Sequence, residues 1–197
     1  MKKQVIFQLL DQVQGFLLDK YAINVQLIRE NVLLNQQVAE WRNNCLIIDM
    51  RNRGALGTLC ILCHVFGHLV QYSVKKEQYV DLWAVVNSKD PPLILSEEFQ
   101  SRYFLYEKEA YQIGKGLLEQ VTHIKADLEN AYQAFMLTDF EYYWKYLVTG
   151  KASSQEAFSR RFYELQKNFR INPPEILPSI SLPNVIGNLG EAEILVV

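Results

Sequence analysis

Apolar residues recur at helical spacing through Lys3 to Lys20, where Val5, Ile6, Leu9, Leu10, Val13, Phe16 and Leu17 share a side. From Ala22 to Glu30 the pattern changes to alternation, with Ile23, Val25 and Leu27 set against Asn24 and Gln26, which predicts a half-buried strand. Cys45 to Met50 (CLIIDM) reads as a second short strand, closed by the turn-like RNRG at 51–54. The stretch Gly54 to Val74 then runs without a charged residue and predicts a helix. Gln78 to Asn87 (QYVDLWAVVN) reads as a further strand, ended by Ser88, Asp90 and the Pro91-Pro92 pair.

Beyond the prolines, Ser96 is placed to cap a helix whose Glu97 and Glu98 suit its positive N-terminal end. Phe99, Tyr103, Tyr106, Ala110, Ile113 and Leu117 form the apolar stripe of that helix. Helical patterning resumes from Ile124 to Leu147, and again from a capping box at Ser153 and Glu156 to Phe169. Residues 171–197 hold four prolines and two glycines and should be extended. This tail is apolar yet proline-broken, so it can lie along the molecule's own cleft, add to a sheet edge, or form a loosely ordered terminus. Helix, strands, core helix, strand and further helices together predict an α+β fold.

Length and composition narrow the classes. A chain of 197 residues, 49% hydrophobic and 21% charged, fits one globular domain with a tail. With 20 Lys+Arg against 22 Asp+Glu it lacks the basic footprint of a nucleic-acid binder, so none is expected as partner. Locally, Arg160, Arg161, Lys167 and Arg170 supply only a small positive patch. The aromatic run Phe140, Tyr142, Tyr143, Trp144 and Tyr146 reads as core plus rim. An odd three cysteines, and a start (MKKQVIFQLLDQVQ) without a cleavage site, lead us to expect a cytoplasmic protein. The uncharged helix is long enough to span a bilayer, but His64, His68, Gln71, Ser73, Thr58 and three glycines argue for a core helix, so no membrane partner is expected.

The chemistry concentrates in Cys60-I-L-Cys63-His64-V-F-Gly67-His68. Residues four apart lie on one helix face, about 6 Å along the axis, so His64 and His68 can share one tetrahedral ion. Cys60 with His64 is the other pairing, whereas Cys60 and His68 lie about 12 Å apart along the axis and cannot share an ion. The string also matches C-x-x-C-H haem attachment, but that chemistry goes with export, and Cys60 and Cys63 read better as small buried hydrophobes. Two core histidines satisfied by hydrogen bonds are the metal-free alternative.

T-L-C-I-L-C-His64-V-F-Gly67-His68-L resembles the zinc helix of the ImmA/IrrE-type metallopeptidases, in the gluzincin group of zincins. In that family a strand ending in I-D precedes an H-E-x-G-H helix, as Ile47-Ile48-Asp49 does here. The resemblance covers roughly residues 1–120. It implies a zincin-like core over 1–122 (small mixed sheet, central H-x-x-x-H helix, second ligand helix), a helical extension over 123–170 and the tail over 171–197. It also implies zinc at His64, His68 and Glu109, because the family's third ligand is a glutamate followed by alanine, as in Glu109-Ala110, with a leucine pair beyond, as in Leu117-Leu118. Helical geometry by itself sets Glu107 and Glu109 symmetrically, about 80° to either side of the apolar stripe.

Val65 stands where the family has its catalytic glutamate. Valine cannot take a proton, and loss of a positioned acid/base forfeits about 10²–10⁴-fold in rate. The resemblance therefore implies a degenerate, non-proteolytic zinc-peptidase-like protein that recognises a protein or peptide partner. Two alternatives stand beside it: a working metallohydrolase whose base is Glu107, Glu98 or His123, and a metal-free interaction protein.

Overall fold

The computed structural model describes residues 3–29, 39–42, 44–51, 54–86, 96–122, 126–151, 154–171, 174–175, 177–186 and 194–196. In chain order the elements are α1 (Lys3–Tyr21), β1 (Asn24–Ile28), β2 (Ala39–Arg42), β3 (Cys45–Asp49), α2 (Gly54–Val86), α3 (Glu97–Val121), α4 (Ala126–Thr149), α5 (Gln155–Ile171) and β4 (Ile194–Val196). The fold is α+β, mostly helical, with a small mixed sheet ordered β1-β3-β2-β4.

The buried β3 lies inside the sheet, parallel to β1 through Asn24↔Cys45 and antiparallel to β2 through Ala39↔Ile48. Its apolar run Leu46-Ile47-Ile48 is what a strand covered on both faces requires. The strand ends at Asp49, whose carboxylate accepts from the Arg51 backbone N–H at 2.8 Å and from its guanidinium at 2.6–3.0 Å, fixing the turn into α2. The pattern did not predict β2, a strand whose four residues, Ala39-Glu40-Trp41-Arg42, alternate but are too few to establish a period; Ala39, Glu40 and Trp41 are all buried.

Among the described residues, one helix is apolar enough to cross a bilayer, and 89% of its most apolar window is buried inside the fold. The first limb of α2 is thus the core helix, with residues 57–71 buried on every side, whereas Lys75 to Gln78 beyond it are exposed. Its first limb packs Leu59, Leu62, Phe66 and Leu69 with Leu10 and Leu17 of α1, Leu46 and Ile48 of β3, and Phe135 of α4. Lys75 leaves helical geometry (φ −128°, ψ 27°), and a second limb continues to Val86.

That second limb corrects the expected strand at Gln78 to Asn87, of which the described part is helical. Tyr79 and Leu82, three apart, are buried, and they pack with Tyr103, Tyr106, Tyr143 and Leu147. The helix carried on from the core outweighs the strand preference of this short β-branched run. Ser96 caps α3 as expected, accepting from the Phe99 N–H at 3.2 Å. For α5 the cap is Ser154, which accepts from the Ala157 N–H at 3.2 Å; Ser153 lies outside the described residues.

The described part of the tail is extended and docked. Its backbone is held at successive points: Gln133 donates to the Glu175 carbonyl (2.7 Å), Lys115 to Leu177 (2.5 Å) and Tyr21 to Pro183 (2.8 Å), while the Ile180 N–H donates to the Gln112 carbonyl (3.1 Å). Leu177 and Leu182 are buried in the main core. At the end of the chain, β4 adds antiparallel to β2.

α2 and α3 meet closely enough to require glycine. A Cβ on Gly67 would lie 2.8 Å from the Ala110 Cα and nearer still to the Ala110 carbonyl, and one on Gly114 would lie 2.5 Å from the Cys63 carbonyl. Both obstacles are backbone, so relief requires the helices to part. We expect Gly67→Ala to lower stability by about 1–3 kcal/mol, as overpacking does; urea unfolding at wild-type midpoint would contradict this close approach.

Candidate metal centre

On α2, residues 64, 68, 71, 75 and 79 are spaced by four or three and form one line along the helix. The line faces α3. His64 and His68 are buried, with ring centroids 4.4 Å apart and their Nε2 atoms 3.0 Å apart. From α3, the Glu107 Oε2 comes within 3.4 Å of the His64 Nε2 and 3.5 Å of the His68 Nε2. The three residues each offer one donor, all within 4.8 Å of one another, so the cluster could hold a metal ion.

The carboxylate that reaches the imidazoles is Glu107, and Glu109 is engaged elsewhere. Glu109 pairs with Lys75 and accepts from the Gln71 Nε2 (3.0 Å) and the Tyr79 hydroxyl (2.8 Å). Burial opposes its charge, but these hydrogen bonds outweigh it and hold its pKa below the usual carboxylate value. Adjacency to an alanine did not discriminate between the two glutamates. The small residues did: Ala110 and Gly114 mark the line of closest approach to α2, and Glu107 precedes them by three and seven positions, on that same line.

Hydrogen bonding sets the imidazole tautomer. Gln71 spends its amide N–H groups on the Tyr106 carbonyl (2.8 Å) and on Glu109, so its Oε1 accepts from the His68 Nδ1 (3.0 Å). With the proton on Nδ1, this tautomer turns the Nε2 lone pair toward the cluster, the orientation a metal ligand needs. Gln71 was not singled out from the sequence, although its place three residues after His68 on the same line was the available signal.

Burial, reinforced by the neighbouring His68, drives the His64 pKa well below its ordinary value and keeps that ring neutral. The ring stacks on Tyr111 at 3.9 Å, and its buried Nδ1 has no hydrogen-bond partner among the described residues. Tyr103 hydrogen-bonds Glu107; burial above all, then the charge of Glu107, raises its pKa and keeps the phenol protonated. The Asp139 Oδ2 of α4 lies 3.8 Å from the His64 Nε2 and accepts from the Tyr111 hydroxyl at 2.7 Å.

The other sequence candidates fall outside this cluster. Val65 is fully buried in the main apolar core, so the position assigned to proton transfer is surrounded by hydrocarbon. Glu98 is exposed in the first turn of α3, about 13 Å along the axis from Glu107. His123 lies outside the described residues. Cys60 and Cys63 are buried, and burial raises both thiols far above their ordinary pKa, which suits inert core residues.

The donor set fits a small divalent cation. Two donors on a tetrahedral ion with bonds of roughly 2.0–2.1 Å stand about 3.3–3.4 Å apart. The separations here are 3.0, 3.4 and 3.5 Å. Two imidazoles and one carboxylate form a three-residue set of the kind that leaves a fourth position for another ligand.

The depressed His64 pKa links stability to pH. Above pH 6.5 the ring is neutral folded or unfolded; below it the unfolded chain takes up a proton that the folded one refuses. Metal-free protein should therefore lose stability as pH falls below about 6.5, with His64 contributing at most about 1.4 kcal/mol per unit. Chelator-treated protein unfolded in urea at pH 7, 6 and 5 measures this. His64→Asn should flatten the dependence, and an equal slope in the variant would refute the assignment.

Comparison of the chain with family models, with curated proteins and with solved structures finds no match in any of the three.

Proposed function

We propose that this chain is a non-proteolytic, zincin-like protein of the cytoplasm that binds a zinc-class ion at His64, His68 and Glu107 and serves in protein or peptide recognition. The observation that carries the metal reading is the convergence of three buried donors from two helices, with the His68 lone pair turned inward by Gln71. The burial of Val65 supports the non-proteolytic part, since no acid/base group stands at that position. Recognition of an extended peptide is supported by β4, a three-residue strand that adds antiparallel to β2 at the edge of the sheet as a bound peptide strand would. Bound zinc would supply a Lewis acid and tie α2 to α3.

Elemental analysis of protein purified without chelator tests the reading, with one zinc per chain expected. His64→Ala, His68→Ala and Glu107→Gln should each lose it, and Glu109→Gln should keep most of it, because Glu109 acts on His68 only through Gln71. A metal-free wild type, with the His64–His68 contact serving as an N–H···N hydrogen bond, would favour the interaction protein without metal. Metal-dependent cleavage of a peptide library, lost in His68→Ala, would favour the hydrolase. Val65→Glu places a carboxylate in apolar core, so we expect several kcal/mol of destabilisation and no gain of hydrolysis. Thermal melting and the same peptide library read both parts.

A further inference from the structure

The three donors are buried, and the Asp139 side chain beside them is 27% exposed, making it the most solvent-accessible carboxylate at the cluster. It comes from α4, a third helix, and is held at 2.7 Å by the Tyr111 hydroxyl. The Tyr111 ring is itself stacked on His64, so the carboxylate is aimed by a group that also packs the ligand. Its 3.8 Å distance from the His64 Nε2 exceeds the 3.0–3.5 Å separations within the ligand set. A carboxylate at that range is placed to accept a hydrogen bond from an O–H or N–H bound beside His64.

Resting on the metal reading above, we propose that Asp139 stands over the fourth position of the ion as a hydrogen-bond acceptor, selecting neutral, proton-bearing ligands such as water, an alcohol or an amine and excluding anions. The chemistry follows from charge and donor count. Glu107 already places one carboxylate on the ion, and a second beside the opening repels an incoming anion while rewarding an O–H or N–H donor. Asp139 is in this respect a positioning and specificity residue.

Cobalt(II) as the bound metal and azide as the probe anion test this on the full chain, through the visible absorption of the cobalt. Wild-type protein should take up one cobalt and respond weakly to azide. Asp139→Asn, which keeps an oxygen for Tyr111 but removes the charge, should take up cobalt and bind azide at least tenfold more tightly. Asp139→Ala, measured alongside it, should do the same. Equal azide affinity in wild type and both variants would overturn the proposal, as would loss of cobalt uptake in both variants alone, which would make Asp139 a direct ligand. Wild-type protein that takes up no cobalt would instead bring down the metal reading beneath it.

Discussion

The close approach of α2 and α3 is the constraint on which the rest of this molecule depends. Side chains that branch from two helices can share one point only if the backbones are near, and Gly67 and Gly114 remove the carbons that would hold them apart. With the helices at that distance, His64, His68 and Glu107 meet without extension of any side chain into solvent. Close packing in the interior therefore sets the site as much as the identity of its ligands does, because a well-packed core transmits small backbone shifts.

Around that contact, polar groups are buried in a connected set. Gln71 joins His68, the Tyr106 carbonyl and Glu109, and Glu109 in turn holds Lys75 and Tyr79 on the second limb of α2. The kink at Lys75 and the orientation of His68 thus share one carboxylate. Tyrosines line the far side: Tyr103 on Glu107, Tyr111 on His64 and Asp139. A buried polar network of this kind orders its members mutually, since each unsatisfied group in a dry interior is costly. Of the three ligand residues' buried polar atoms, the one without a partner among the described residues is the His64 Nδ1, on the ring edge away from the cluster.

Much of the architecture was legible in the chain. The helix at Lys3–Tyr21, the strands at 24–28 and 45–49, the cap at Ser96 and the extended tail all follow from period and turn chemistry. The strand read at Gln78 to Asn87 did not hold, because period-two and period-three signals are hard to separate in ten residues and the preceding helix extends through them. β2 was silent because it is short: Ala39-Glu40-Trp41-Arg42 alternates, but four residues do not establish a period. At the site, the paired histidines were visible as a spacing. Glu107 and Asp139 were ambiguous or unseen, since each matters through a contact with another helix, and Gln71 lay on the His68 line but its role depends on its bonds to α3.

By itself the sequence determined which residues can lie along one helix face and which segments need burial, since both depend on local spacing and on transfer from water. It thereby determined that His64 and His68 form a pair on a core helix. Only tertiary structure decided which carboxylates join them. The angular position of Glu107 or Glu109 on α3 has no meaning until α3 is set against α2, and that docking is decided by where glycine and alanine allow two backbones to touch.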